Sequence, residues 1–173
     1  MKGNLILSHE LTKLLKLKCG STFITMDVNG NSTSMSINAG KKEKFASCAL
    51  VKIGVKSIPE ILVKKSGNVQ VAGVDQQQLV LEINGSGNIT ADGMVKELLI
   101  RAQGSGDVDT TQVVTKKALI VSQGSGDVTV VANDELQSVL QGSGDITVIG
   151  NPVSQQHVET GSGRYRLIGS ASK

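Results

Sequence analysis

The chain has 173 residues, 39% of them hydrophobic and 19% charged, which suits one domain or one elongated repeat array and excludes two independent cores. Aromatic residues make up only 2% against twenty Gly, so a core has to be built from Val, Ile and Leu, and no apolar run is long enough for a transmembrane helix. The net charge of +3 is unevenly spread: residues 1–66 hold eleven Lys against four acids, and residues 67–173 hold seven basic against eleven acidic residues.

A basic N-terminal third suits phosphate, lipid headgroups or acidic glycans, although plain solvation of a Lys-rich face explains it as well. Nucleic acid is disfavoured as a partner, because single-strand binders stack bases on aromatic side chains and the chain offers only Phe23, Phe45 and Tyr165.

Residues 1–20 do not read as a signal peptide. Leu5, Ile6 and Leu7 run straight into Ser8, His9 and Glu10, and the next apolar run is broken by Lys13, Lys16 and Lys18. Cys19 follows Leu17 and Lys18, not the small residues of a lipoprotein cleavage site. The expectation is an N-terminal cap or leader remnant, helical or irregular, with Ser8 capping a short helix that carries Leu11, Leu14 and Leu15 on one face. Cys19 and Cys48 lack zinc spacing. They form one disulfide in an exported chain, or stand as two small apolar residues in a reducing compartment. Residues 41–64, with Lys41, Lys42, Lys44 and Pro59, show no repeat phase and read as irregular coils or a side layer.

From residue 65 the sequence repeats itself. Gly-Ser-Gly-Asp/Asn-Val/Ile occurs at Gly85-Ser86-Gly87-Asn88-Ile89, Gly104-Ser105-Gly106-Asp107-Val108, Gly124-Ser125-Gly126-Asp127-Val128 and Gly142-Ser143-Gly144-Asp145-Ile146. Degenerate copies stand at Ser66-Gly67-Asn68 and Gly161-Ser162-Gly163-Arg164, so the second glycines are spaced by 20, 19, 20, 18 and 19 residues. Each motif is followed by an alternating pair such as Val69/Val71 or Val128/Val130. Each is preceded by a second alternating run such as Leu79/Leu81/Ile83 or Leu98/Ile100/Ala102. Short strands, Gly-rich corners at fixed phase and a period near nineteen predict an all-β, single-stranded right-handed β-helix in which each coil pairs with its neighbours. Glycine at such a corner permits positive φ and close backbone approach, and Asp or Asn suits a turn closed on its own backbone. Asn84, Gln103, Gln123, Gln141 and Thr160 share a phase that predicts an amide ladder, and Glu82 and Arg101 are expected side by side.

These serial GSGD motifs, with Phe23-Ile24-Thr25-Met26-Asp27-Val28-Asn29-Gly30 and Ser36-Ile37-Asn38-Ala39-Gly40, resemble the head GIN domain family of auto-transporter adhesins over residues 22–170. The resemblance implies a right-handed β-helix related in shape to pectate-lyase-like folds, location in the bacterial cell envelope or secretion, an adhesive role and no catalytic residues. It sets the boundaries at 1–20 for the cap and 21–170 for the solenoid, with clear repeats over 65–168. The sequence departs from the pattern in showing no export signal and in Arg164, which replaces the turn acid and marks a terminal coil.

Chemistry is looked for without success. A β-helix lyase or hydrolase needs facing carboxylates, whereas Asp107, Asp127 and Asp145 fall one per coil along one corner. Calcium rolls place a ligand loop about every nine residues, half the period seen here. The Gly motif lacks the third glycine and the following helix of a dinucleotide site and the Lys-Ser/Thr pair of a phosphate loop. His9 and His157 read as surface residues. No enzyme activity, metal or cofactor is expected.

Two sets of outward positions are apolar: Val80, Leu99 and Leu119, and Val121, Val139 and Val158. They predict a stripe covered by the chain's own residues 1–60, or else a patch for a ligand or for homo-oligomer contacts. The function expected is a non-enzymatic envelope or surface module binding a glycan, a surface protein or another copy. The alternatives are a cytoplasmic structural polymer like the bactofilins and, last, a polysaccharide-active enzyme. The repeat corners, Gly85, Gly87, Asn88, Gly104, Gly106, Asp107, Gly124, Gly126, Asp127, Gly142, Gly144, Asp145, Gly161 and Gly163, are expected to build the rod that carries such a face.

Overall fold

The computed structural model describes the backbone of residues 4–8, 16–19, 22–29, 32–39, 50–54, 58, 60–65 and 68–169, and the side chains of 58, 60–64 and 68–169. The expected helical stripe of Leu11, Leu14 and Leu15, His9, Cys48, Ser66-Gly67 and the pairing of the cysteines lie outside these.

In chain order the strands of the N-terminal third are β1 (Asn4–Ser8), β2 (Lys16–Cys19), β3 (Thr22–Asn29), β4 (Ser32–Ala39) and β5 (Leu50–Gly54). The repeat region follows with β6 (Glu60–Lys65), β7 (Asn68–Gly85), β8 (Ile89–Ala102), β9 (Val108–Ser122), β10 (Val128–Val131), β11 (Glu135–Leu140), β12 (Ile146–Ile149), β13 (Ser154–Glu159) and β14 (Tyr165–Ile168). From β6 onward all pair in parallel. The register joins Val69 to Ile89, Ile89 to Val108, Val108 to Val128, Val128 to Ile146 and Ile146 to Tyr165. Those steps reproduce the 20, 19, 20, 18 and 19 of the glycine spacing, because the repeat is the coil. The result is a β-solenoid of about six turns, fewer than the seven to nine coils that winding the whole N-terminal third would give. At ~4.8 Å per turn it is on the order of 30 Å long.

Each coil has three faces. The first holds residues 68–72, 89–91 and 108–110 with β10, β12 and β14; the second holds 74–76, 93–95 and 113–115; the third holds β6, 79–85, 98–102 and 118–122 with β11 and β13. Alternation along every strand sends one set of side chains inward. Ile61, Leu81, Ile100 and Ile120 stack in one column, Val69, Ile89, Val108, Val128 and Ile146 in another, all within 2% of complete burial. Removing each such side chain from water contributes about 1.5–3 kcal/mol, which replaces the aromatic core the composition denies.

The glycines act by closeness, not by handedness. Among the described residues positive φ falls on Gly73 (68°), Gly93 (130°) and Gly150 (131°), none of them in a GSGD corner. At the corners Gly85, Gly104, Gly124, Gly142 and Gly161 lie one on another, and a Cβ on any of the upper four would overlap the carbonyl oxygen of the glycine beneath. That carbonyl accepts the next coil's Ser N–H, as in Ser125 to Gly104 at 2.9 Å and Ser143 to Gly124 at 2.9 Å. Gly87, Gly106, Gly126, Gly144 and Gly163 form a second column under the same constraint.

The N-terminal third departs from expectation. Both β1 and β2 are extended, where a helical or irregular cap is expected from the sequence. Strand β1 pairs in parallel with β7 on one side and with β5 on the other, so that Leu5 and Leu7 stand opposite Val69 and Val71. Residues 50–54 and 60–65 therefore enter the stack. Strands β2, β3 and β4 form a separate three-stranded antiparallel sheet, whose last strand runs alongside β6.

The last described coil is polar on its third face. In the inward columns Leu136, Ser138 and Leu140 are followed by Gln155, His157 and Glu159, three polar residues where a further coil would need apolar ones. His157, expected at the surface, takes an inward position. Its Nδ1 lies 2.8 Å from the Ser138 hydroxyl and its ring stacks on Tyr165 at 4.0 Å between centroids. The Tyr165 hydroxyl donates to Gln155 Oε1 at 3.4 Å.

Two outcomes follow from this packing. Gly124→Ala should destabilise the fold by about 2–3 kcal/mol, since backbone has to move, while Ser125→Ala should stay within about 0.5 kcal/mol; thermal unfolding compares them. Burial raises the Tyr165 phenol above the ordinary 10.0. Its folded value exceeds the unfolded one, so the contribution is full below pH 10 and fades as pH rises through the folded value. As the chain's one tyrosine, Tyr165 should show a phenolate absorbance midpoint above 10 in the native protein and a lower one in denaturant.

Candidate interaction faces

The acids and amides of the corner motif stack in one column, one per coil. They do not close turns on their own backbone. Asn68 Oδ1 accepts the Asn88 N–H (3.1 Å), Asn88 Oδ1 that of Asp107 (3.0 Å), Asp107 Oδ1 that of Asp127 (2.9 Å), Asp127 Oδ1 that of Asp145 (2.8 Å) and Asp145 Oδ1 that of Arg164 (2.9 Å). The reason is geometric. At this position the carbonyl already accepts from the coil below, as Asp127 O does from the Val108 N–H at 2.9 Å, and the N–H would otherwise be left without a partner. Each side chain thus completes the ladder one coil further on. Arg164 is the last member of the series among the described residues and carries no such acceptor; it and Arg166 lie 3.7 and 3.2 Å from Asp145 Oδ2.

Beside that corner runs the amide ladder. Gln103 Nε2 donates to Gln123 Oε1 at 3.2 Å, and Gln123 Nε2 to Gln141 Oε1 at 2.7 Å. Glu82 and Arg101 stand opposite in register with their charged groups 3.9 Å apart.

The outer surface of the third face carries the apolar stripe. Val80, Leu99 and Leu119 are successive register partners, and Val121, Val139 and Val158 are another such series one column over. Leu119 is 40% and Val158 54% exposed, while Val80, Leu99, Val121 and Val139 are partly buried by their neighbours in the sheet. The amide ladder borders the stripe on one side. On the other lies a charge ladder in which Glu97, Lys117 and Glu135 are register partners, with Lys117 Nζ 2.8 Å from Glu135 Oε2. The hydrogen bond from Lys117 holds the Glu135 carboxyl below its usual range, and the same contact raises Lys117.

Sequence reasoning missed a groove at the corner between the second and third faces. It has a volume of about 680 Å³, within the range of ligand sites. Its floor is the register pair Met94 and Val114, 59% and 51% exposed, and Lys96 and Lys116 border them. Gln77, Gln78, Asn133 and Asp134 complete the walls. The twenty-residue spacing of Met94 to Val114 and of Lys96 to Lys116 is the signal that could have found it. Gln76, beneath, is structural: its amide accepts the Ile58 N–H at 3.0 Å and donates to the Ile58 carbonyl at 2.7 Å.

Asp127→Ala deprives the Asp145 N–H of its acceptor and should lower stability by about 1 kcal/mol in urea unfolding. Asp127→Asn should be close to neutral, because Asn88 fills the same role in its own coil.

The comparisons with known proteins agree with this architecture. A family model described as "Putative auto-transporter adhesin, head GIN domain" matches residues 10–152. The chain is similar to the crystal structure of a putative adhesin from Bacteroides fragilis, with 19% identity and a TM-score of 0.69 over 97% of this chain and 89% of the other, a likeness of fold. No curated protein matches the chain. With glycine-stacked coils between residues 85 and 163 and the family model covering most of its residues, the chain belongs to the head GIN domain family.

Proposed function

We propose that the chain is a non-enzymatic module of the cell envelope or surface whose rigid third face docks onto a surface protein, a glycan or another copy of the chain. The observation that carries this reading is the stripe: Leu99, Leu119, Val121 and Val139 form a flat apolar strip bordered by amides and paired charges. An apolar centre with a polar rim is the anatomy of a docking surface. The family and the similar Bacteroides fragilis protein are both described as adhesins, which supports a surface location and an adhesive role.

Two observations weigh against the other readings. Asp107, Asp127 and Asp145 each give one oxygen to the next coil's backbone, so they stand as ladder acceptors and not as the facing acid pair of a glycoside hydrolase. A polymer growing end to end needs apolar inward positions on its outermost coil; on the third face of the last described coil these hold Gln155, His157 and Glu159, while the first face keeps Tyr165 and Leu167.

Leu99→Glu combined with Leu119→Glu tests the stripe. The variant should keep its circular dichroism and lose attachment to cell surfaces, or self-association by light scattering, at least tenfold. Unchanged attachment together with unchanged solution mass would remove the third face from the reading.

A further inference from the structure

We infer that the groove between the second and third faces is a binding site for an acidic glycan, taking about two consecutive carboxylate- or sulfate-bearing sugar units along the solenoid axis. The inference rests on the surface-module reading and gives it a ligand class at a place separate from the stripe.

Charge points to the anion. Lys96 and Lys116 occupy the same phase on neighbouring coils, between the register pairs Val95–Thr115 and Glu97–Lys117, about one coil spacing of ~4.8 Å apart along the axis. Like charges set directly opposite on neighbouring strands repel. The adjacent Lys117 is neutralised by Glu135, but among the described residues neither Lys96 nor Lys116 has an acid within ion-pair distance. The acids of the groove stand at its two ends: Asp75 is the register partner of Met94 one coil below, and Asp134, whose N–H donates to the Lys116 carbonyl at 3.0 Å, lies one coil above. The two lysines therefore stand next to each other on the two middle coils with one acid at either end, and an anion bridging them relieves their mutual repulsion.

The lining selects a sugar over a peptide. A peptide gains most in a β-protein by adding a strand to a free edge. Strand 93–95 is paired below through Asp75 and above through Val114, and on the upper side of 113–116 the Thr115 and Lys116 carbonyls are taken by the Asn133 side-chain amide at 3.4 Å and the Asp134 N–H at 3.0 Å, so little edge is left for an added strand. The ligand has to carry its own hydrogen-bonding groups at close spacing. Gln77, Gln78 and Asn133 present amides that both donate and accept, which suits hydroxyls, and Met94 with Val114 gives an aliphatic floor for the C–H faces of a ring.

The test uses the whole chain against an immobilised panel of polygalacturonate, alginate, hyaluronan, heparin and polysialic acid, with dextran and fully methyl-esterified pectin as uncharged controls. Wild type should bind at least one acidic member and neither control, with affinity falling as salt is raised. Lys96→Gln with Lys116→Gln should weaken that binding at least tenfold and Lys96→Arg with Lys116→Arg should restore most of it. Lys117→Gln, at a lysine already paired, should change it less than threefold. Failure of wild type to bind any acidic member, or equal binding by the double Gln variant, overturns the proposal. Attachment to cells is measured in parallel: if it persists and depends on Leu99 and Leu119 while the acidic panel gives nothing, the groove fails and the docking face stands.

Discussion

Backbone lies directly on backbone at one corner of every coil, and the rest of the molecule is arranged around that contact. With no side chain between Gly104 and Gly124, or between Gly106 and Gly126, successive turns approach closely enough for the serine N–H to reach the carbonyl beneath. This pins the register once per turn. A slip of one residue would exchange inward and outward positions along a whole strand, placing Lys117 where Ala118 is buried and Gln137 where Leu136 is. The chain tolerates steps of 18 to 20 residues because the irregularity is absorbed elsewhere: at the bulges between Val71 and Val74 and between Thr90 and Asp92, near the positive-φ Gly73 and Gly93, and between the Val131–Ile149 and Glu135–Ser154 pairs, near the positive-φ Gly150.

A corner so tightly stacked leaves backbone donors that strands cannot satisfy, and the Asx column answers them. The side chains that look most chemical in the sequence are thereby engaged in holding coils together, leaving function to the surfaces between corners. Along the stripe those surfaces are rigid because Leu99, Leu119, Val121 and Val139 stand on strands paired on both sides. A stripe displayed there loses little conformational freedom when a partner arrives, which favours recognition by many weak contacts.

Much of this is legible in the residues alone, and for a physical reason: in a solenoid, sequence spacing is spatial neighbourhood. The glycine intervals equal the register steps, the Gln103–Gln123–Gln141 contacts follow from phase, and Glu82 meets Arg101 as counted. The rule fails where the chain leaves the repeat. Strand β1 enters the stack between β5 and β7, a pairing across more than forty residues that no periodicity announces. Phase also does not reveal whether a side chain bonds its own turn or the next coil, so the corner acids are paired with the wrong backbone when read from spacing. His157 escapes a sequence reading because its half-buried place rests on the Ser138 hydroxyl and the Tyr165 ring, contacts that its spacing does not announce.

The one-directional Asx column has an evolutionary corollary. Each corner supplies an acceptor upward and receives one from below, so every internal coil presents the same upper and lower terms. Duplicating or deleting one whole period between Gly85 and Gly161 would leave the Asx junctions chemically unchanged, whereas losing a fraction of a period would not. The rod is thus free to vary in length across generations by unequal recombination in steps of one coil.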